Sequence, residues 1–213
     1  MTPHAASEIT EALCRKASVI PVLVIEDAAL ARPLAEALVA GGLPVLEVTL
    51  RTPAALDAIR EMAGVEGGVV GAGTLLTPAD VEAATAAGAR FGVSPGSTPA
   101  LLDAARAGDL PLLPGAATAS EAMALLEKGY SVQKFFPAET AGGAAALKAL
   151  ASPLPQIRFC PTGGVSLANA ASYLGLPNVL CVGGSWVAPK DKVAAGDWDA
   201  IVALAREAAA LPR

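Results

Sequence analysis

Lys134 stands inside the apolar run Val132-Gln133-Lys134-Phe135-Phe136-Pro137, which otherwise reads as a buried strand. A buried ammonium is costly unless it is paired or gives up its proton, and the free amine is a nucleophile toward carbonyl carbon. The other lysines, Lys16, Lys128, Lys148, Lys190 and Lys192, all fall on helical, terminal or loop stretches. A single lysine within a strand therefore points to Schiff-base chemistry.

A second run, Val45-Leu46-Glu47-Val48-Thr49-Leu50-Arg51, carries a carboxylate and a guanidinium. Strand side chains alternate between faces, so Val45, Glu47, Thr49 and Arg51 share one face and Leu46, Val48 and Leu50 the other. The apolar set suits packing on helices, which turns Glu47 and Arg51 toward an interior. There Arg51 can grip a carboxylate bidentately and Glu47 can shuttle protons. The same alternation groups Lys134 with Val132 and Phe136, so Lys134 and Glu47 can face each other from separate strands. Two plainer alternatives stand beside this: an interior Glu47–Arg51 ion pair that fills polar space, or Lys134 merely paired with Glu47.

The elements that must position these groups alternate regularly. Short β-branched runs at residues 19–25, 45–50, 69–74, 91–95, 111–116, 131–137, 158–163 and 179–184 are separated by Ala/Leu-rich helical stretches. Such a pattern predicts repeated βα units on a parallel sheet. Gly41-Gly42 closes a helix, Thr52-Pro53, Thr77-Pro78 and Thr98-Pro99 open helices, and Thr118 with Glu121 reads as a capping box. Gly142-Gly143, Ser166 and Asp197 precede the last three. Eight strands, with polar residues at their C-terminal ends, predict an α/β fold: a closed (β/α)8 barrel with an N-terminal helix, as one domain over residues 1–213. Gly71-Ala72-Gly73 begins a dinucleotide-like pattern, but Leu76 occupies the place of the third glycine, so a Rossmann unit is disfavoured.

Two glycine pairs close the last two strands, in Thr162-Gly163-Gly164 and Gly183-Gly184-Ser185. Barrel enzymes commonly bind phosphate at these two loops, because glycine lets backbone N–H groups approach an anion. Ser185 would add a hydroxyl donor. Thr74 and Pro95, after the third and fourth strands, share this end, with turn chemistry as the alternative reading.

Composition narrows the classes. Charged residues make up 16% of the chain and apolar ones 54%, so much surface must be buried, in part between subunits. Net charge is −5 with no basic tract, which disfavours nucleic acid as a partner. No apolar run approaches the ~20 residues of a membrane span, and the early Glu8 and Glu11 do not fit a secretory leader; a cytoplasmic protein is expected. Cys14, Cys160 and Cys181 are odd in number and lack Cys-x-x-Cys spacing, which favours small core hydrophobes over a disulfide framework or a structural zinc. His4, the lone histidine, is expected on a frayed terminus, leaving metal-histidine chemistry without ligands.

Several motifs in order resemble the 2-keto-3-deoxy-6-phosphogluconate (KDPG) aldolase family over nearly the whole chain. They are Leu46-Glu47-Val48-Thr49-Leu50-Arg51-Thr52, Val70-Gly71-Ala72-Gly73-Thr74, Ser94-Pro95-Gly96, Lys134-Phe135-Phe136-Pro137-Ala138-Glu139, Phe159-Cys160-Pro161-Thr162-Gly163-Gly164 and Gly183-Gly184-Ser185-Trp186. The resemblance implies a class I aldolase of the Entner–Doudoroff route, with a phosphorylated 2-keto-3-deoxy sugar acid as substrate, no cofactor, no metal and a homotrimeric assembly. It implies Lys134 as the Schiff-base residue, Glu47 as acid and base, and Arg51, Thr74 and Thr162 as contacts to the pyruvate portion. Pro95 and Phe136 would line the pocket; Gly163, Gly164, Gly183, Gly184 and Ser185 would hold the phosphate. The segment Cys14-Arg15-Lys16-Ala17-Ser18 varies among relatives, leaving open whether Arg15 or Lys16 reaches that phosphate. A galactonate epimer or 4-hydroxy-2-oxoglutarate would meet the same catalytic pair. The rival classes are a phosphosugar isomerase or epimerase that forms no imine, and a noncatalytic phosphate-ligand sensor.

Overall fold

The computed structural model describes residues 1–212; the expected domain ends at Arg213, which lies outside the described residues. The first half comprises α1 (Pro3–Cys14), β1 (Val19–Leu23), α2 (Ala31–Ala40), β2 (Val45–Thr49), α3 (Ala55–Ala63), β3 (Val69–Gly73), α4 (Pro78–Ala86), β4 (Gly92–Val93) and α5 (Pro99–Ala107). After these come β5 (Leu112–Leu113), β6 (Gly115–Ala116), α6 (Ala119–Glu127), β7 (Val132–Phe135), α7 (Gly143–Ala151) and β8 (Arg158–Pro161). The chain closes with α8 (Ala170–Leu174), β9 (Val182–Gly184), α9 (Lys190–Ala195) and α10 (Trp198–Ala209).

All strand pairs are parallel, in a six-stranded sheet of order β5-β4-β3-β2-β1-β9 and a three-stranded sheet of order β6-β7-β8. The strand expected over 111–116 is split at Pro114, which has no N–H to donate. Its carbonyl still accepts from Lys134 N at 2.9 Å, so the chain stays beside β7 through the break. The strand expected over 179–184 is likewise reduced to β9 plus an isolated parallel bridge between Phe159 and Val179. The hydrogen-bonded strands thus fall into two parallel ladders rather than one continuous ladder of eight.

Alternation sorts the side chains as the sequence predicts. Leu46 and Val48 are fully buried in the apolar layer that also holds Leu34, Leu38 and Ile59 of α2 and α3. Val45 and Val132 face inward, in a separate cluster with Ile20, Phe91, Val93 and Leu113. Burying each such aliphatic side chain contributes roughly 1.5–3 kcal/mol against solvent exposure.

Helix starts follow the expected signals in five places, Gly142 before α7 among them, and depart from them in two. Thr77 and Thr118 form capping boxes with Asp80 and Glu121, while Thr98 and Asp197 accept from Leu101 N and Ala200 N. Thr52 instead turns its hydroxyl to the Ile25 carbonyl, and α3 begins later without a side-chain cap. Ser166 does not cap either. Its N–H donates to Asn169 Oδ1 at 2.8 Å, and Asn169 precedes α8. His4 is not frayed: it lies within α1, 3.5 Å from Glu8. Among the described residues no helix is long and apolar enough to cross a membrane.

Candidate active site

Lys134 sits on β7 and Glu47 on β2, strands of different sheets, and their side chains meet. Lys134 Nζ donates to Glu47 Oε1 at 3.2 Å, with the two side chains only 6% and 4% exposed. Glu47 therefore pairs with Lys134 rather than with Arg51. The amine also lies 5.3 Å from the centroid of the Phe136 ring, close enough for a cation–π contact. On the opposite face of β7, Gln133 donates to the Ala122 and Tyr130 carbonyls, and Phe135 packs edge-on against Phe159. With the Gln133 amide N–H groups and the Phe135 ring engaged on that outer face, alternation turns Lys134 the other way.

Space for the Glu47 carboxylate comes from Gly73, the last residue of β3. A Cβ built at Gly73 would lie 2.3 Å from Glu47 Oε1 and 2.6 Å from Glu47 Cγ, closer than any side chain permits. The next residue, Thr74, has a φ of 61°. Left-handed backbone is an outlier for a β-branched residue, and such strain persists where the surroundings impose it, often at functional sites.

Thr49 joins two strands and the mouth: its hydroxyl donates to the Leu23 carbonyl at 2.8 Å and accepts from Arg51 Nε at 3.1 Å. Arg51 thus leaves the end of β2 exposed but held at its root. Thr162, just after β8, is 6% exposed, and its Oγ1 has no hydrogen-bond partner among the described residues. A buried, unsatisfied hydroxyl carries a desolvation cost that a ligand acceptor or donor would relieve. Gly183 makes room for it, since a Cβ there would strike Thr162 Oγ1 at 2.2 Å.

Gly163 and Gly164 both take positive φ, 101° and 79°, and pack against Pro137 and Glu139 of the segment after β7. The Tyr173 hydroxyl donates to Glu139 Oε1; burial and this carboxylate together push the phenol well above its ordinary range. Tyr173 and Glu139 thereby brace the glycine loop from behind, a support that residue types alone did not reveal. Gly184 is buried beneath the Trp186 ring, with Ser185 exposed beside it. Pro95 is half-buried, with its carbonyl against Gly115.

The C-terminal ends of β2, β3, β7, β8 and β9 therefore collect Arg51, Thr74, Phe136, Thr162, both glycine pairs and Ser185 around the Lys134–Glu47 pair. Arg15 and Lys16 precede β1 and lie at the opposite, N-terminal ends of the strands, where Arg15 lines a groove with Leu174–Leu180. Neither is placed to reach an anion at the glycine loops. A separate cavity of about 410 Å³, bounded by Ile25, Glu26, Leu30, Lys190 and Val193, flanks the end of β1 and contains neither member of the pair.

A buried lysine facing a carboxylate at the C-terminal ends of parallel strands fits an aldolase of the imine-forming kind, and the chain belongs to the KDPG and KHG aldolase family, whose model matches residues 10–204. The 2-dehydro-3-deoxy-phosphogluconate aldolase of Pseudoalteromonas atlantica is 54% identical over 193 residues, covering 90% of each chain. The crystal structure of the 2-keto-3-deoxy-6-phosphogluconate aldolase of Zymomonas mobilis ZM4 with 3-phosphoglycerate is 53% identical, superposes with a TM-score of 0.93, and matches 97% of this chain and 98% of its own. The KDPG aldolase of Legionella pneumophila, with pyruvate captured at low pH as a covalent carbinolamine intermediate, is 47% identical with a TM-score of 0.91, covering 94% of this chain and 98% of its own.

Proposed function

We propose that this chain is a class I aldolase that cleaves 2-dehydro-3-deoxy-6-phosphogluconate to pyruvate and D-glyceraldehyde 3-phosphate, and that it also cleaves 4-hydroxy-2-oxoglutarate to pyruvate and glyoxylate. One observation carries the reading: a buried amine stands 3.2 Å from a buried carboxylate that is able to exchange protons with it. The carbinolamine trapped in the Legionella relative supports the same chemistry.

In this mechanism the free Lys134 amine attacks the C2 ketone, with Glu47 placed to take its proton. Loss of water from the carbinolamine leaves an iminium conjugated with the carboxylate carbon, and that iminium is the electron sink for the C3–C4 bond. Glu47, directly or through a water, removes the C4 hydroxyl proton. The C3–C4 bond then breaks, the aldehyde departs, and its electron pair rests in an enamine. Glu47 returns a proton to C3, and hydrolysis of the imine frees pyruvate and Lys134. Because the imine nitrogen carries the charge, this route calls for no metal.

Arg51 holds the carboxylate in this reading, Thr74 and the unpartnered Thr162 hydroxyl serve the pyruvate portion, and Pro95 and Phe136 wall the pocket. Gly163, Gly164, Gly183, Gly184 and Ser185 bind the phosphate. The two ladders form arcs of one closed eight-stranded barrel, within a single domain over 1–213. Supporting closure, Thr162 bridges to Gly183 in parallel, Pro114 joins β5 to β6 without a gap, and β2 and β7 meet through Lys134 and Glu47. A cytoplasmic homotrimer is the proposed assembly; exposed Leu76 and Met123 are apolar surface available to an interface.

Borohydride added with pyruvate tests the central step. A stable mass adduct is expected on Lys134 and absent from Lys134→Arg, whose guanidinium stays protonated. Parent protein that remains free of adduct would end the aldolase reading.

A further inference from the structure

The sequence spacing of Cys14, Cys160 and Cys181 conceals a cluster. Cys14 ends α1, Cys160 lies on β8 and Cys181 immediately precedes β9; the fold brings their sulfurs within 4.8 Å of one another. Cys160 Sγ and Cys181 Sγ are 3.5 Å apart, and the three residues are 1%, 2% and 0% exposed. All three are free thiols, enclosed by Leu13, Ile20, Val45, Val132 and Leu180. The catalytic route does not use them.

We propose that Cys14, Cys160 and Cys181 form a trigonal thiolate site for one soft d10 metal ion, such as copper(I) or cadmium(II). A metal about 2.3 Å from each of three sulfurs holds them about 3.8–4.0 Å apart, a length that zinc shows and copper(I) approaches and that the larger cadmium exceeds; all three sulfurs already lie within 4.8 Å, and only the Cys160–Cys181 pair, at 3.5 Å, must open by a few tenths of an ångström. Soft sulfur ligands select soft ions, and hard oxygen-seeking cations such as magnesium find no ligand set here. Structural zinc takes four ligands, and among the described residues no fourth His, Cys, Asp or Glu joins this group. Binding exchanges S–H bonds for metal–sulfur bonds and releases the thiol protons to solvent; no oxidation state changes. The ion enters when α1, a terminal helix, opens locally, and once bound it ties α1 to the sheet.

The test uses the full-length reduced protein under anaerobic conditions, loaded with copper(I) or cadmium(II) both by long incubation and during refolding. One equivalent per chain is expected, retained against a competing chelator, with ultraviolet thiolate-to-metal charge transfer and an X-ray absorption spectrum of three sulfurs. Melting temperature should rise on loading. Cys14→Ser and Cys14→Ala should each weaken retention by about 100-fold or more, while metal-free aldolase activity stays at the parent level. The spectrum of the parent decides the case even where a variant folds poorly. Failure of both ions to bind by either route, fewer than three sulfurs, or retention unchanged by both Cys14 variants would overturn the assignment.

Discussion

Gly73→Ala separates catalytic geometry from stability. The added Cβ would sit 2.3 Å from Glu47 Oε1, 2.6 Å from Cγ and 2.8 Å from Cδ, whereas ordinary contact begins near 3.4 Å. The carboxylate must therefore retreat by about 1 Å, and its 3.2 Å bond to Lys134 Nζ cannot survive a shift of that size in most directions. Misplacing a reacting group by 1 Å costs on the order of 100-fold in rate, or ~2.7 kcal/mol of barrier. The atoms that yield belong to a side chain rather than backbone, so overpacking should cost only about 1–3 kcal/mol of stability. Pyruvate release, followed by NADH oxidation through lactate dehydrogenase, should show kcat down about 100-fold with KM changed much less. A thermal melt on the same sample confirms that the variant is folded. A folded Gly73→Ala enzyme with kcat within about threefold of the parent would refute the argument that Gly73 is there to admit the Glu47 carboxylate.

Three further substitutions probe other parts of the site and its scaffold. Glu47→Gln keeps the side-chain shape but removes the base; some imine should still form, whereas solvent exchange of the pyruvate C3 protons should slow by about 10²–10⁴. Equal exchange rates in variant and parent would remove Glu47 from that role. Thr162→Val deletes a buried hydroxyl that has no hydrogen-bond partner among the described residues, so the melting temperature should hold or rise while KM for substrate increases about tenfold; a lowered melting temperature with unchanged KM would count against a ligand contact. Glu121 is held below its ordinary value near 4.5, first by the Ala117 N–H and also by Thr118. A lowered folded value means that its contribution is present above the unfolded value and is lost as pH falls through the folded one. Glu121→Gln should therefore lower stability at pH 7 by no more than a few tenths of a kcal/mol, since water screens this exposed carboxylate, and the gap should shrink as pH falls below 4.5 in urea melts; a pH-independent gap would exclude the charge as the cause.

Much of the site was legible because strand alternation is rigid. Once Leu46 and Val48 were assigned to the helix-facing layer, Glu47 had to point inward, and Gln133 with Phe135 fixed Lys134 in the same way. The closing ladder was less legible, since Pro114 interrupts pairing within a run whose composition otherwise reads as one strand. The Thr52 cap failed because a tertiary acceptor competed, its hydroxyl taking the Ile25 carbonyl in preference to its own helix, and the Ser166 cap failed to a local one, Asn169 Oδ1. Besides the Tyr173–Glu139 brace, two features had no signal in residue types at all. The opening at Gly73 depends on which side chain crosses the interior, and the three cysteines are gathered by the juxtaposition of α1, β8 and β9, not by spacing along the chain.

The pairing of Lys134 with Glu47 is not explained by stability. Buried ion pairs often contribute less than well-packed apolar residues of the same volume, because desolvation offsets the Coulombic gain. Around this pair the chain accepts other unfavourable features: left-handed backbone at Thr74, an unsatisfied hydroxyl at Thr162, and glycine where β3 has room for no side chain. Each would be relieved by an apolar substitution or a regular strand end, and each lies at the same C-terminal end of the strands. The apolar layer between the sheets and α2, α3 and α10 supplies the stability that allows this concentration. Three such departures gather at the end of the strands where a carbonyl substrate would meet the amine, and that concentration favours an imine-forming site over a buried pair that merely fills space.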